Sequence, residues 1–208
     1  MRRVPLFLDI LAGFIALAVV SMSITFPSWQ SLPWLKATPA LCWALSFLMV
    51  RGQGWPFMAL ALIAAAAGDW LLGHANLFVF GAAAFAVMQI LYGAWFWVLA
   101  LRSRLPRWRL VAAPLFYGLV SSLLLFFCAT RVGDLALPMA AYAMVLTFMA
   151  SGSALRGGVL AGGGALFFLS DSLILIFQAW PPSSPSDWAI LIPYYIGQAL
   201  IVRAIRRL

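Results

Sequence analysis

The chain has 208 residues, 65% of them hydrophobic and only 9% charged, with a formal net charge of +8 and a mean hydropathy of +1.04. So few polar residues cannot cover the surface of a soluble domain, so the composition excludes that class and indicates an integral membrane protein. The positive charge is not a nucleic-acid signal either, because the basic residues lie in short gaps between apolar runs, where they set topology.

In chain order, Met1-Arg2-Arg3 and the apolar run to about Phe26 resemble a signal peptide. No small-x-small cleavage site follows, so a retained first helix is expected. With about 20 apolar residues per span, the pattern predicts an all-α polytopic protein of eight transmembrane helices, near 6–26, 35–50, 54–73, 77–101, 110–130, 135–154, 157–180 and 187–206. Pro27 and Pro33 punctuate the first gap, Gly52 and Gly54 the second, Pro106 the fourth, and Pro181-Pro182-Ser183-Ser184-Pro185 the last. No gap is long enough for a soluble domain, so the whole of 1–208 reads as one transmembrane domain. Cys42 and Cys128 lie inside apolar segments and His74 is the only histidine. That argues against a disulfide scaffold or a zinc site, and no metal or cofactor is expected.

Arginine placement predicts orientation. With both termini cytoplasmic, Arg2, Arg3, Arg51, Arg102, Arg104, Arg107, Arg109, Arg156, Arg203, Arg206 and Arg207 fall inside, and only Lys36 and Arg131 fall outside. Eleven basic residues against two is a strong positive-inside bias.

Two of the five acidic residues, Asp69 and Asp171, sit within apolar runs of helices three and seven. A carboxylate in hydrocarbon costs at least ~2.5–3.5 kcal/mol on insertion scales, so each must face protein or trapped water. Each lies about 14–15 residues, roughly 21–22 Å, from the inner end of its helix, which puts both at one depth in the outer half of the membrane. Two buried carboxylates at one depth suggest a shared polar chamber. The alternative is that each only hydrogen-bonds a neighbouring helix.

The run from Pro39 to Met49 on helix two echoes Pro138 to Met149 on helix six, and this suggests a four-plus-four parallel repeat about an axis along the membrane normal. The polar residues available to a chamber are few. Helix four offers Gln89 and Tyr92 on one face, helix six Tyr142, helix seven Ser170, and helix eight Tyr194, Tyr195 and Gln198. Lys36 stands at the outer mouth of helix two. It reads either as part of the site or as a headgroup anchor, and the tyrosines either as site residues or as an aromatic belt. The amides of Gln89 and Gln198 gain nothing from hydrocarbon without partners. Ala61, Ala65, Ala66 and Gly164 read as packing residues, and most of the ten tryptophans as interfacial anchors. The run Gly157-Gly158…Gly162-Gly163-Gly164 lacks the lysine and hydroxyl of a phosphate loop.

These residues carry a resemblance that covers nearly the whole chain. Gly68-Asp69, Gly164 to Asp171 and Tyr194-Tyr195-Ile196-Gly197-Gln198, with Lys36…Pro39, Phe85…Tyr92 and Pro138…Tyr142, resemble in order and spacing the YhhN family of membrane lysoplasmalogenases. The resemblance implies an eight-span hydrolase cleaving the vinyl ether bond of lysoplasmalogens to a fatty aldehyde and glycerophosphoethanolamine or glycerophosphocholine. It implies Asp69 and Asp171 as the catalytic pair, and the polar residues Lys36, Gln89, Tyr92, Tyr142, Ser170, Tyr194, Tyr195 and Gln198 are the ones expected to bind substrate. Partners would be the lysophospholipid, water and membrane lipids, with no nucleic acid, and the expected location is a bacterial inner membrane. The chain departs from the expected pattern at Gln89, where a histidine is expected in many relatives; glutamine does not take a proton at neutral pH. From the residues alone, a small proton- or cation-coupled transporter and a non-catalytic lipid-binding protein remain open.

Overall fold

In hydrocarbon, an exposed backbone N–H or C=O has no water to bond, so an apolar chain closes its hydrogen bonds internally as helix. A computed structural model of the protein describes residues 3–25, 32–103, 105–183 and 187–208. Arg2, Phe26, Pro27, Trp29, Arg104, Ser184 and Pro185 lie outside the described residues. Those described form helices α1 (Arg3–Thr25), α2 (Pro33–Met49), α3 (Trp55–Leu72), α4 (Phe78–Leu101), α5 (Arg107–Val132), α6 (Ala136–Arg156), α7 (Gly158–Ala179) and α8 (Asp187–Arg206), with no strand among them. Short 3₁₀ turns at Ala75–Leu77 and Gly133–Leu135 lead into α4 and α6. Among the described residues six stretches are long and apolar enough to cross a membrane: Leu6–Thr25, Trp55–Leu72, Phe78–Leu101, Arg107–Arg156, Gly158–Ala179 and Asp187–Arg206. Many large apolar side chains are exposed. Leu137 is 80% and Phe126 75% exposed, which water would penalise and lipid does not.

The chain divides into two compact units, Met1–Tyr92 with Val202–Leu208, and Gly93–Ile201. In the first, α2 packs against α1 and α3. Met58, Ala61, Leu62, Ala65 and Ala66 bury one face of α3, so the alanines predicted to serve packing do so. The end of the chain closes this unit. Arg206 pairs with Asp9 of α1, donates to Ser46 Oγ of α2, and lies 5.1 Å from the centroid of the Phe47 ring. An aspartate and an arginine within apolar helices thereby satisfy each other's charge.

In the second unit, α5, α6 and α7 pack on one another. α5 buries only a narrow stripe, Tyr117, Ser121, Cys128 and Val132, spaced so that one helix face touches protein and the rest is exposed. Ser121 and Thr147 join α5 to α6 by a 2.8 Å hydroxyl–hydroxyl hydrogen bond. Cys128 and Val132 pack with Leu175 and Ala179 of α7 as a small apolar cluster. Gly157 and Gly158 both have positive φ, +77° and +60°, so α6 reverses into α7 through a turn that side-chain-bearing residues adopt only under strain. The glycine run that could not be a phosphate loop is therefore first a turn. It is next a contact surface: Gly163 lies against the Gly197 carbonyl and Ile201 N–H of α8, and Gly164 against the side chain of Ser153.

Candidate active site

In the first unit, Asp69 occupies the last turn of α3 and is 6% exposed. The glycine before it has a structural reason. A Cβ at Gly68 would fall 2.6 Å from the Phe85 ring, so α4 approaches α3 beside Asp69 only because Gly68 is bare. Phe85, Met88, Gln89 and Tyr92 recur at helical spacing and are all buried, so the α4 face that makes this approach carries the glutamine and the tyrosine. One turn beyond Asp69, Gly73 leaves room for the Pro33 ring at the start of α2, and Lys36 lies one turn along from Pro33. Lys36 is half-buried. Lys36, Asp69, Gln89 and Tyr92 all make polar or aromatic contacts.

In the second unit, Asp171 sits near the middle of α7, 8% exposed, and the Tyr142 hydroxyl of α6 donates a hydrogen bond to its Oδ2 at 2.5 Å. Ser170 is buried beside it but donates its only hydroxyl proton across to the Ile190 carbonyl of α8, at 2.9 Å. Ser170 thus ties α7 to α8. Tyr194 and Tyr195 are buried, with ring centroids 4.9 Å apart, and Tyr194 meets Phe167 edge-on at 5.4 Å. Gln198 is buried next to the Gly163–Gly197 crossing. Burial removes Tyr92, Tyr194 and Tyr195 from any lipid-facing belt.

Other polar residues were not singled out, although the sequence pattern marked them. Tyr117 is buried on α5 and packs edge-on against Phe168, 4.9 Å between centroids, three residues before Asp171 on α7. Its signal was available, since it is one of only five tyrosines and lies mid-span. Asp9 carried the same signal as Asp69, a carboxylate inside an apolar run, but its partner Arg206 stands near the other end of the chain. Trp43 and Trp95 are 3% and 7% exposed and belong to the core, whereas Trp34, Trp70, Trp108, Trp180 and Trp188 are exposed near helix ends, as interfacial anchors should be.

Residues 31–205 match the YhhN family. The chain belongs to that family. Among curated proteins it is 31% identical over 193 residues to human (Homo sapiens) lysoplasmalogenase TMEM86B, covering 88% of this chain and 82% of that protein. The Sus scrofa lysoplasmalogenase TMEM86B is 32% identical over 84% of this chain and 75% of its own length. The Mus musculus protein of the same name is 30% identical over 85% and 75%. No solved structure matches the chain. As a YhhN protein built of long apolar helices, it is a multi-pass membrane protein.

Proposed function

We propose that the protein is a membrane-embedded lysoplasmalogenase, an ether hydrolase that cleaves the vinyl ether bond of a lysoplasmalogen. The observation that carries this reading is the likeness to three lysoplasmalogenases over most of the chain, joined to the burial of the two intramembrane carboxyls, Asp69 and Asp171. The products are a fatty aldehyde and glycerophosphoethanolamine or glycerophosphocholine.

The chemistry suits two carboxyl groups. One, as the acid, delivers its proton to the β-carbon of the vinyl ether; the C=C electron pair forms the new C–H bond and leaves an oxocarbenium ion. The other, as the carboxylate, stabilises that cation and takes a proton from the water that adds to it. In the resulting hemiacetal, the C–O bond to glycerol breaks. The leaving oxygen receives the proton held by the second carboxyl, and the hemiacetal hydroxyl returns its proton to the first, regenerating both groups. Glycosidases treat their oxocarbenium-like transition states with a similar division of labour. Proton transfer of this kind contributes about 10²–10⁴-fold. In this reading Lys36, Gln89, Tyr92, Tyr142, Ser170, Tyr194, Tyr195 and Gln198 are the residues expected to bind the substrate.

The proposed architecture is a single transmembrane domain of eight spans with both termini cytoplasmic, in a bacterial inner membrane. The 50-residue stretch Arg107–Arg156 would be about 75 Å as one helix, more than twice the hydrocarbon thickness. The positive φ of Gly133 interrupts it, which supports two crossings. α2, with 17 residues, lies at the short end of the spanning range of about 17–25. The four-plus-four repeat is part of this proposal and rests on the helix two and helix six sequences.

Purified protein in detergent should release aldehyde from a lysoplasmalogen, and a carrier, which needs a sealed membrane with two sides, should not. Absence of aldehyde from every lysoplasmalogen tried would replace the hydrolase by the carrier or lipid-binding reading. The ammonium of Lys36, a half-buried residue, would hold the glycerophosphate headgroup at the outer face, with the single chain between helices. Lys36→Ala should then raise KM more than it lowers kcat, because headgroup binding is the same in ground and transition states. An unchanged KM would make Lys36 a membrane anchor.

A further inference from the structure

One end of the second unit, where α5, α6 and α7 meet, carries two opposite charges that do not pair with each other. Ala179 of α7 packs with Val132 of α5, and Leu135 and Ala136 of the turn into α6 pack on the same cluster. The neighbours of these residues therefore share one helix-end surface: Arg131 before Val132, Asp134 in the turn Gly133–Leu135, and Trp180 after Ala179. All three are exposed. The Arg131 guanidinium lies 4.9 Å from the centroid of the Trp180 ring. Asp134 stands only three residues from Arg131, yet among the described residues neither charge forms an ion pair or a side-chain hydrogen bond.

An apolar strip continues from this surface. Phe127, one turn before Arg131 on the same face of α5, and Leu123, one turn before that, are both exposed. The cluster thus joins a cation set on an aromatic ring, an anion beside it, and apolar helix running away from both. A guanidinium suits a phosphate, to which it presents paired N–H donors, and a carboxylate suits an ammonium. An anionic headgroup would set a second negative charge against Asp134. A water-soluble zwitterion would leave Phe127 and Leu123 uncovered.

We propose that Arg131, Asp134 and Trp180 bind the headgroup of a zwitterionic, two-chain bilayer phospholipid, with Arg131 holding the phosphate and Asp134 the ammonium. An acyl chain of that lipid lies along Phe127 and Leu123. Trp180 orients the guanidinium through its ring face and sits at headgroup level, as interfacial tryptophans do. The proposal uses residues of the second unit alone and does not depend on the hydrolase reading.

Native mass spectrometry of the purified full chain in detergent, given equimolar phosphatidylethanolamine and phosphatidylglycerol with identical acyl chains, tests it. Arginines elsewhere hold phosphate in every variant, so the readout is the ratio of the two lipids retained, relative to wild type. Asp134→Asn should lower the ethanolamine-to-glycerol ratio about two- to fivefold, the worth of one exposed charge pair. Arg131→Gln should lower retention of both lipids, because both present a phosphate. Asp134→Ala gives the same readout if the asparagine variant does not elute as a single species. An unchanged ratio in the Asp134 variants, or unchanged retention in Arg131→Gln, would refute the site. Kinetics with a single-chain lysoplasmalogen separate the two sources of such a headgroup. A raised KM in Arg131→Gln with lipid retention as in wild type would make the cluster a substrate contact and overturn the bilayer-lipid proposal.

Discussion

Asp69→Asn and Asp171→Asn should each lower vinyl ether hydrolysis at least ~10²-fold while leaving folded protein. Asparagine preserves the shape of the side chain and much of its hydrogen bonding. It neither gives up a carboxylic proton nor carries the charge that stabilises an oxocarbenium ion. Both positions are buried, at 6% and 8% exposure, so the effect is not diluted by solvent reaching the same atoms. The fold should survive: an amide in place of Asp171 still accepts from the Tyr142 hydroxyl through its carbonyl oxygen. The double variant should be little worse than the worse single one, because groups acting as one unit are strongly non-additive. Aldehyde release in detergent, with size-exclusion profiles as the folding control, is the measurement. Near-normal turnover in either monodisperse single variant would make that aspartate a packing group bonded to its neighbouring helices.

The positions of helix ends were legible because their causes are local. Gly54, Pro106 and Gly157 stand immediately before α3, α5 and α7, where a missing Cβ or a missing N–H favours a break. The buried face of each helix was harder to read, since α3, α4 and α7 are apolar nearly all round and periodicity does not separate lipid from protein. Small and polar residues gave the usable signal. Ala61, Ala65 and Gly164 pointed to protein contact, and Asp171 and Tyr142 were each selected as polar residues in mid-span. Their partners stayed hidden. That Tyr142 reaches Asp171, that Ser170 turns to Ile190, and that Asp9 meets Arg206 depend on packing between helices distant in sequence. Likewise, nothing local distinguishes Trp43, which is core, from Trp34, which is exposed. The motif Gly68-Asp69 shows both sides of this. The aspartate is conspicuous in the sequence, whereas the need for the glycine is visible only once Phe85 is against it.

Bulk at the α7–α8 crossing should be the most damaging change outside the carboxyls. A Cβ at Gly163 would lie 3.0 Å from the Gly197 carbonyl oxygen, 3.0 Å from the Ile201 amide nitrogen and 2.9 Å from Ile201 Cγ1. A Cβ at Gly197 would lie 2.9 Å from the Gly163 carbonyl oxygen and 3.1 Å from the Phe167 amide nitrogen. These obstacles are mostly backbone, which cannot rotate aside, so the helices must part, as they would at any small-residue crossing in a membrane. Overpacking of this kind costs about 1–3 kcal/mol, and Gly163→Leu or Gly197→Leu should stand at or beyond the upper end. Parting α7 from α8 would also move Tyr194, Tyr195 and Gln198 relative to Asp171, so activity should fall even in molecules that remain folded. Gly162 is the internal control: it adjoins Gly163, but nothing lies within 4 Å of its Cβ position. Gly162→Ala should therefore be neutral or slightly stabilising, since glycine within a helix costs roughly 0.5–1 kcal/mol relative to alanine. Thermal unfolding in detergent separates the cases: a lower Tm for Gly163→Leu and Gly197→Leu, with Gly162→Ala at or above wild type. Equal Tm values for Gly162→Ala and Gly163→Leu would show that α7 and α8 do not cross at these glycines.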